Sequence, residues 1–261
     1  MPVGSERLLA ARSLATSHRR LAGLLKPGMA VLDVGCGSGA ITRGIAEAVT
    51  PGGTVVGIDL SDHLIARAIA EHSDQENLRF ASADVMNLGY RDHFDVVTSA
   101  RVLQWLFDPL GALESMLGAV KRGGQIVVLD YNHLEARWEP EPPEAFRRFY
   151  AAFLSWRAEA GMDNQIADHL AVMLSELDLA DVSVSAEHEV TSRGDSGFAT
   201  HVVLWRDVIA TRGHQMVADG MLDEAQRAAA EESFADWIDA DAMRQALYLL
   251  AVTGSKPRDQ M

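Results

Sequence analysis

The sequence has a single cysteine, Cys36, in 261 residues. That excludes an intrachain disulfide and any metal site built from several thiolates. No apolar run approaches the roughly 20 residues a membrane helix needs, and the start shows no basic flank followed by an apolar core. A cytoplasmic protein without a membrane partner is therefore expected. Positive charge is scarce too: 23 lysines and arginines stand against 37 acidic residues, a formal net charge of −14. Such a field opposes polyphosphate backbones, and the pairs Arg19-Arg20 and Arg147-Arg148 are too small to reverse it locally. No nucleic-acid partner is expected. No His, Asp and Glu cluster has metal-ligand spacing, so no metal is expected either. Internal repeats and low-complexity segments are absent.

What remains is an ordinary globular composition, 48% hydrophobic and 23% charged, organised around the stretch from Val31 to Thr42. Apolar residues as far as Val34 read as a short buried strand. Gly35, Gly37 and Gly39 follow, and Ile41, Ile45 and Val49 then recur at helical spacing. A strand thus turns through glycines into a helix, where bare backbone lets a ligand face the N–H groups of the helix start. Dinucleotide enzymes use G-x-G-x-x-G, whereas the spacing here is G-x-G-x-G. Asp33, two residues before the first glycine, would repel a pyrophosphate but suits an ammonium or sulfonium charge. S-adenosylmethionine carries both.

Two further strands also end in acids. The one from Thr54 to Ile58 leads into Asp59, which can accept from both hydroxyls of a ribose. The other, from Leu78 to Ala83, leads into Asp84-Val85. Each aspartate taken alone also reads as a solvated loop carboxylate or a helix cap, because Asp59-Leu60-Ser61 opens a helix. Cys36 reads either as a thiol at a helix N-terminus or as a small residue filling the turn.

VLDVGCGSG, VVGIDLS, ASADV, FDVVTSARVLQW and GGQIVVLD, in that order between about Leu24 and Tyr131, resemble the successive motifs of the class I S-adenosylmethionine-dependent methyltransferases, small-molecule type. The resemblance implies S-adenosylmethionine as cofactor and a cradle of Asp33, Gly35, Cys36, Gly37, Ser38 and Gly39 along its methionine and ribose portion. It implies that Asp59, with Leu60 beside it, holds the ribose, that Asp84 accepts from the adenine amino group, and that the Val85 N–H meets the ring. Ala100 and Gln104 would border the donor. Leu103-Gln104-Trp105 is similar to carboxyl methyltransferases of the family, in which the Trp borders the substrate; Trp105 also reads as helix-to-sheet packing. The Asn/Asp/Ser-Pro-Pro-aromatic tetrapeptide of enzymes that methylate nucleobase amines does not occur after the fourth strand.

Strands near 30–34, 54–58, 78–82, 94–98 and 125–130 alternate with helices, which predicts right-handed crossovers and ligand binding at the strands' carboxyl ends. The expected architecture is an α/β, Rossmann-like, doubly wound, seven-stranded and mostly parallel sheet with an added helical cap. Residues 1–28 would place an amphipathic helix, Ser5 to Leu25, over the cofactor site, and 29–131 would form the core. Residues 132–181 would form a stiff connector, Trp138 to Pro143, and a cap with helices from Glu144 to Gly161 and Gln165 to Leu177. Residues 182–261 would supply the last strands, Val182 to Val190 and Ala246 to Val252, around a helical insertion at about 197–240 with helices from Phe198 to Gly213 and Asp223 to Ile238. Lys256 to Met261 reads as a frayed tail.

Methyl transfer from a sulfonium needs orientation in a dry site, and a base only when the acceptor must lose a proton. His133, just past the fifth strand, is the candidate base, with Tyr131 to orient it; a partly exposed loop histidine is the plainer reading. On the helix after the connector, the stripe of Phe146, Phe149, Tyr150, Phe153 and Leu154 reads as core or as an aromatic pocket, and Phe149 and Phe153 are candidate substrate contacts. Small-molecule substrate and a homodimer are the expected partners. A cyclase-like protein using the donor as a non-reacting cofactor, an NAD-dependent oxidoreductase and a non-enzymatic interaction module are the alternatives.

Overall fold

Oxygen-bearing side chains start several of the helices: Ser61, Asp108 and Asp223 each accept a backbone N–H of the following first turn. In the computed structural model, which describes residues 12–258, these caps alternate with strands whose buried runs are rich in valine and isoleucine. The chain divides into two compact units. A sheet unit comprises residues 12–131, 165–187 and 249–258; a helical unit comprises 132–164 and 188–248.

In the sheet unit, β1 (Ala30–Val34), β2 (Thr54–Asp59), β3 (Leu78–Ser82), β4 (Phe94–Ala100) and the first part of β5 (Val120–Glu139) run parallel. They alternate with α3 (Ala40–Ala48), α4 (Asp62–Glu71) and α5 (Pro109–Ala119). With β6 (Ala180–Ala186), β7 (Glu189–Ser192) and β8 (Arg244–Ser255) the strand order is β3-β2-β1-β4-β5-β8-β6, and β7 pairs with β8. β6 and β7 are both antiparallel to β8. The sheet therefore has eight strands where seven were expected, because the run expected over 182–190 is interrupted at Glu187-His188. β1 and β4 are neighbours although β2 and β3 lie between them in sequence, so the order reverses there and opens a crevice at their carboxyl ends.

Alternation along each strand splits the core into two layers. Leu32, Val34, Val97, Ile126 and Val128 pack on one face with Leu113 and Met116, while Val31, Val55, Val96 and Val127 pack on the other with Ile45 and Leu21. Helix α7 (Ile166–Glu176) was expected in the cap. It belongs to the sheet unit instead, because Ile166, Leu170 and Leu174 complete the first of these layers.

Residues 5–11 of the expected leading helix lie outside the described residues, as do 259–261 of the tail. The remainder of that helix is broken into α1 (Leu14–Ser17) and α2 (Arg19–Ala22), which meet at His18 with φ −156° and ψ 61°. Tertiary contacts cause the break. The His18 ring is buried against Thr98, and Glu187 accepts the backbone N–H groups of Arg19 and Arg20 at 3.0 and 2.8 Å.

In the helical unit, α6 (Glu144–Glu159), α8 (Phe198–Val202), α9 (Leu204–Ala218) and α10 (Glu224–Ala240) pack around aromatic rings. Phe146 stacks on Phe234 at a centroid distance of 4.1 Å, and Trp205 meets Tyr150 and Phe153 edge-on at 4.7 and 5.3 Å. β5 continues to Glu139, nine residues past its expected end, since Asp130, Asn132 and His133 are buried polar residues that interrupt the apolar pattern but not the strand.

Glu187→Ala should lower unfolding free energy by about 1–3 kcal/mol in urea titrations, because it strands two helix-start donors in a partly buried place. Arg19→Ala, which removes only a half-exposed ion-pair partner, should change it less.

Candidate functional site

The β1–α3 turn is built from residues in left-handed backbone: φ is 73° at Gly35, 57° at Gly37 and 81° at Gly39. Space is restricted as well. A Cβ on Gly35 would lie 2.3 Å from a Val102 methyl, and one on Gly39 would lie 2.6 Å from Phe80 and 2.8 Å from His72. Gly35 and Cys36 donate their N–H groups to Ile58 O at 2.7 and 2.9 Å, and Gly37 N–H reaches Asp59 Oδ2 at 3.0 Å. From behind, the His72 Nε2–H donates to Ser38 O at 3.0 Å. The turn is thus clamped to the end of β2 and to α4.

Asp33 is buried beneath this turn and accepts from Thr42 Oγ1 at 2.7 Å. Burial raises its pKa from 3.8 to about 7, the nearby Asp59 charge adds to the rise, and the Thr42 hydrogen bond opposes it. Burial, with Asp33 and Asp59, also holds the Cys36 thiol well above its ordinary value, so Cys36 fills the turn and is no reactive thiolate. Asp59 accepts from Gly37 N–H and Ser61 N–H, one on each oxygen, and Leu60 beside it is 76% exposed. At the end of β3, Asp84 accepts the Met86 N–H at 2.9 Å and starts a short 3-10 turn, Val85–Asn87, with Val85 buried.

Past Ala100, which ends β4, Arg101 is buried and takes a left-handed φ of 63°. Its Nε donates to the Tyr131 hydroxyl at 3.1 Å. Gln104 donates its side-chain amide to Arg101 O and its backbone N–H to Asp130 Oδ2, both at 3.1 Å. Trp105 lies half-buried in the same 3-10 turn. Every expected donor contact from Asp33 to Gln104, together with Trp105 and Tyr131, therefore belongs to the sheet unit at the carboxyl ends of its strands.

His133, Phe149 and Phe153 belong to the helical unit. His133 is no loop residue: it lies inside β5, buried, with its ring edge-on to Phe153 and Trp205. Burial and the Arg157 charge hold its pKa well below the ordinary histidine value, so the imidazole is neutral. Phe153 is packed into the aromatic core, which explains its position in the stripe without a ligand. Phe149 lines a cavity of about 340 Å³ with Ala145, Ala152, Met221 and Leu222.

The residues that pattern reading passed over are His18, Thr42, Thr98, Arg101 and Asp130. Thr98, Arg101 and Asp130 stand inside the motifs quoted above and Thr42 one helical turn past Gly39, yet the motifs gave none of them a role; their hydrogen bonds, to His18, Tyr131, Gln104 and Asp33 respectively, come only with the fold. Among the described residues no group of three potential metal ligands comes together. No described helix is long and apolar enough to cross a membrane.

A glycine cradle, acidic side chains at three successive strand ends and a buried Ser38 hydroxyl with no protein partner suit a ligand rich in hydroxyl and ammonium donors. On this sheet order they define a class I methyltransferase, whose cofactor is S-adenosylmethionine. The model of the family described as "Methyltransferase domain" matches residues 25–168, and the chain belongs to that family. A demethylmenaquinone methyltransferase of Staphylococcus aureus is 32% identical over 133 residues, 51% of this chain and 52% of its own length. The chain thus spans about half the length of the curated relatives it matches. Among solved structures, the fold is shared with phosphoethanolamine N-methyltransferase 2 of Haemonchus contortus, in complex with phosphomonomethylethanolamine and S-adenosylhomocysteine (TM-score 0.58, 18% identity, 98% of this chain and 54% of that one). It is also shared with the [4+2]-cyclase SpnF (TM-score 0.53, 19% identity, 96% and 84%).

The raised Asp33 pKa has a definite sign. The fold favours the protonated carboxyl, so its contribution is complete below about pH 3.8 and is lost as pH rises through about 7. In ligand-free protein, the stability of wild type relative to Asp33→Asn should fall over that interval and then level off. Parallel stability curves for the two proteins in urea titrations across the interval would contradict a buried, strained carboxylate.

Proposed function

We propose that this chain transfers a methyl group from S-adenosylmethionine to a small-molecule acceptor of metabolite or natural-product type, by in-line displacement governed by proximity and orientation. The observation that carries the reading is the left-handed glycine turn set over Asp33 and Asp59 at the β1–β4 crevice of a methyltransferase-family chain. When bound, the sulfonium donor supplies a methyl group already attached to a neutral leaving group. The chain's own residues bind and orient. Asp59 has further lone pairs on both oxygens after accepting two backbone N–H groups, enough for two ribose hydroxyls. Asp33, whose pKa burial raises to about 7, would be drawn toward its ionised form by an approaching ammonium. Asp84 and the Val85 N–H would hold an adenine, and Leu60 would cover the donor from its exposed position. Ala100, Gln104 and Trp105 would border the reacting end.

For the acceptor, support comes from the relatives, whose names specify demethylmenaquinone and phosphoethanolamine, and from the net charge of −14, which disfavours polyanions. Tyr131, already fixed by Arg101, would position the acceptor. His133 would act as base only toward acceptors that must lose a proton; being neutral it can accept one, although its lowered pKa makes it a weak base. Phe149, beside its cavity, is the aromatic side chain we assign to apolar acceptor contact, whereas Phe153 stays in the aromatic core. A cytoplasmic setting agrees with the single cysteine.

Calorimetric titration with S-adenosylmethionine and S-adenosylhomocysteine, with NAD as control, tests the donor. Wild type should bind both adenosyl ligands and not NAD, while Gly37→Ala and Asp84→Asn should lose most of that affinity. Unchanged affinity in both variants would sink the site assignment. Formation of S-adenosylhomocysteine in the presence of acceptor candidates then separates transfer from use of the donor as a non-reacting cofactor.

A further inference from the structure

Where α6 packs against α10, Phe146 stacks on Phe234, but elsewhere along the contact the facing side chains are alanines. Ala145 and Ala152 from α6 and Ala229 from α10 are too short to close the space between the helices. With Phe149, Met221 and Leu222 they line a cavity of about 340 Å³. That volume lies within the range of small-molecule sites, about 300–1,000 Å³. Every residue that lines it belongs to the helical unit. Its walls are braced without a ligand. Phe149 is buried, and a Cβ on Gly213 of α9 would stand 3.3 Å from its ring and 2.9 Å from Arg227. Arg227 in turn is gripped by Glu224 and Glu231 at 2.7 and 2.6 Å.

The polar groups around this cavity decide what it can hold. Glu144, Arg148 and Gln226 complete its lining. The Asp223 N–H can only donate, so the Gln226 side-chain atom 2.8 Å from it is the oxygen, turned to the helix cap. What Gln226 offers a ligand is therefore its amide NH2. Glu144 and Arg148, one turn apart on α6, bind each other, so together they add no net charge. An anion or a cation entering the cavity would have to compete for one partner of that pair. Apolar walls, a neutral rim and a donor in the lining select a neutral hydrocarbon body that carries a carbonyl oxygen.

We propose that this cavity holds the body of the methyl acceptor, and that the acceptor is a neutral, mainly hydrocarbon molecule whose ketone or ester carbonyl accepts from the Gln226 amide. The inference deepens the function proposed above and rests on its assignment of Phe149 to acceptor contact. It makes Gln226 a specificity-determining residue, which selects the acceptor by its oxygen and leaves the chemistry to the donor's methyl group.

The test uses benzophenone, its oxygen-free analogue diphenylmethane and the anion diphenylacetate, on protein loaded with S-adenosylhomocysteine. By equilibrium dialysis, benzophenone should bind more tightly than the other two. Ala152→Leu and Ala229→Leu, which fill the cavity from opposite helices, should each weaken it about tenfold or more. Gln226→Glu keeps an oxygen for the helix cap but removes the amide donor; it should weaken benzophenone about fivefold and leave diphenylmethane within about twofold of wild type. Near-UV circular dichroism like that of wild type shows that the rings around Trp205 stay packed in each variant. Irradiated benzophenone, which bonds to nearby C–H groups, should label the peptide that contains Met221. No benzophenone binding, tighter binding of diphenylacetate, benzophenone affinity unchanged in the cavity-filling variants or in Gln226→Glu, or labelling confined to peptides outside 144–152 and 221–229 overturns the acceptor assignment. Bound S-adenosylhomocysteine in those experiments leaves the donor reading intact. Wild type that binds benzophenone but no S-adenosylhomocysteine overturns methyl transfer as the function, and the acceptor assignment with it.

Discussion

The site depends first on one tie: the turn after β1 is held against the end of β2 by Gly35 N and Cys36 N on Ile58 O and by Gly37 N on Asp59. Parallel pairing brings the two strands to the same level, and the turn can then fold back only through left-handed backbone. Val102, Phe80 and His72 already occupy the space where side chains at Gly35 and Gly39 would go. Glycine at these positions is the consequence, not an ornament.

Burial then sets the electrostatics. Asp33 and His18 are both taken out of water at the same strand ends, and desolvation pushes both toward neutrality, the acid upward and the base downward. Hydrogen bonds with Thr42 and Thr98 hold these two side chains in place.

The helical unit follows another logic. Its centre is a set of mutually edge-on and stacked rings around Trp205, and His133, put forward for its place after the fifth strand, and Phe153, put forward by helical spacing, are part of that packing. A ring buried among rings satisfies the 3.6-residue periodicity as fully as one lining a pocket, so the stripe alone does not separate the two.

By itself the sequence determined the alternation of strands and helices, the glycine turn and the acids at the ends of β1, β2 and β3, because these are local: hydrophobic period, backbone freedom and a cap residue act within a few positions. The true length of β5 was hidden, since buried polar residues such as Asp130 and His133 imitate a strand end. Tertiary structure alone decided the break at His18, the place of α7 on the sheet, the raised pKa of Asp33 and the meeting of His18 with Thr98. The break at His18 and its contact with Thr98 depend on groups 168 and 80 residues apart being brought into one buried place, where the cost of desolvation is set by neighbours that no local pattern specifies.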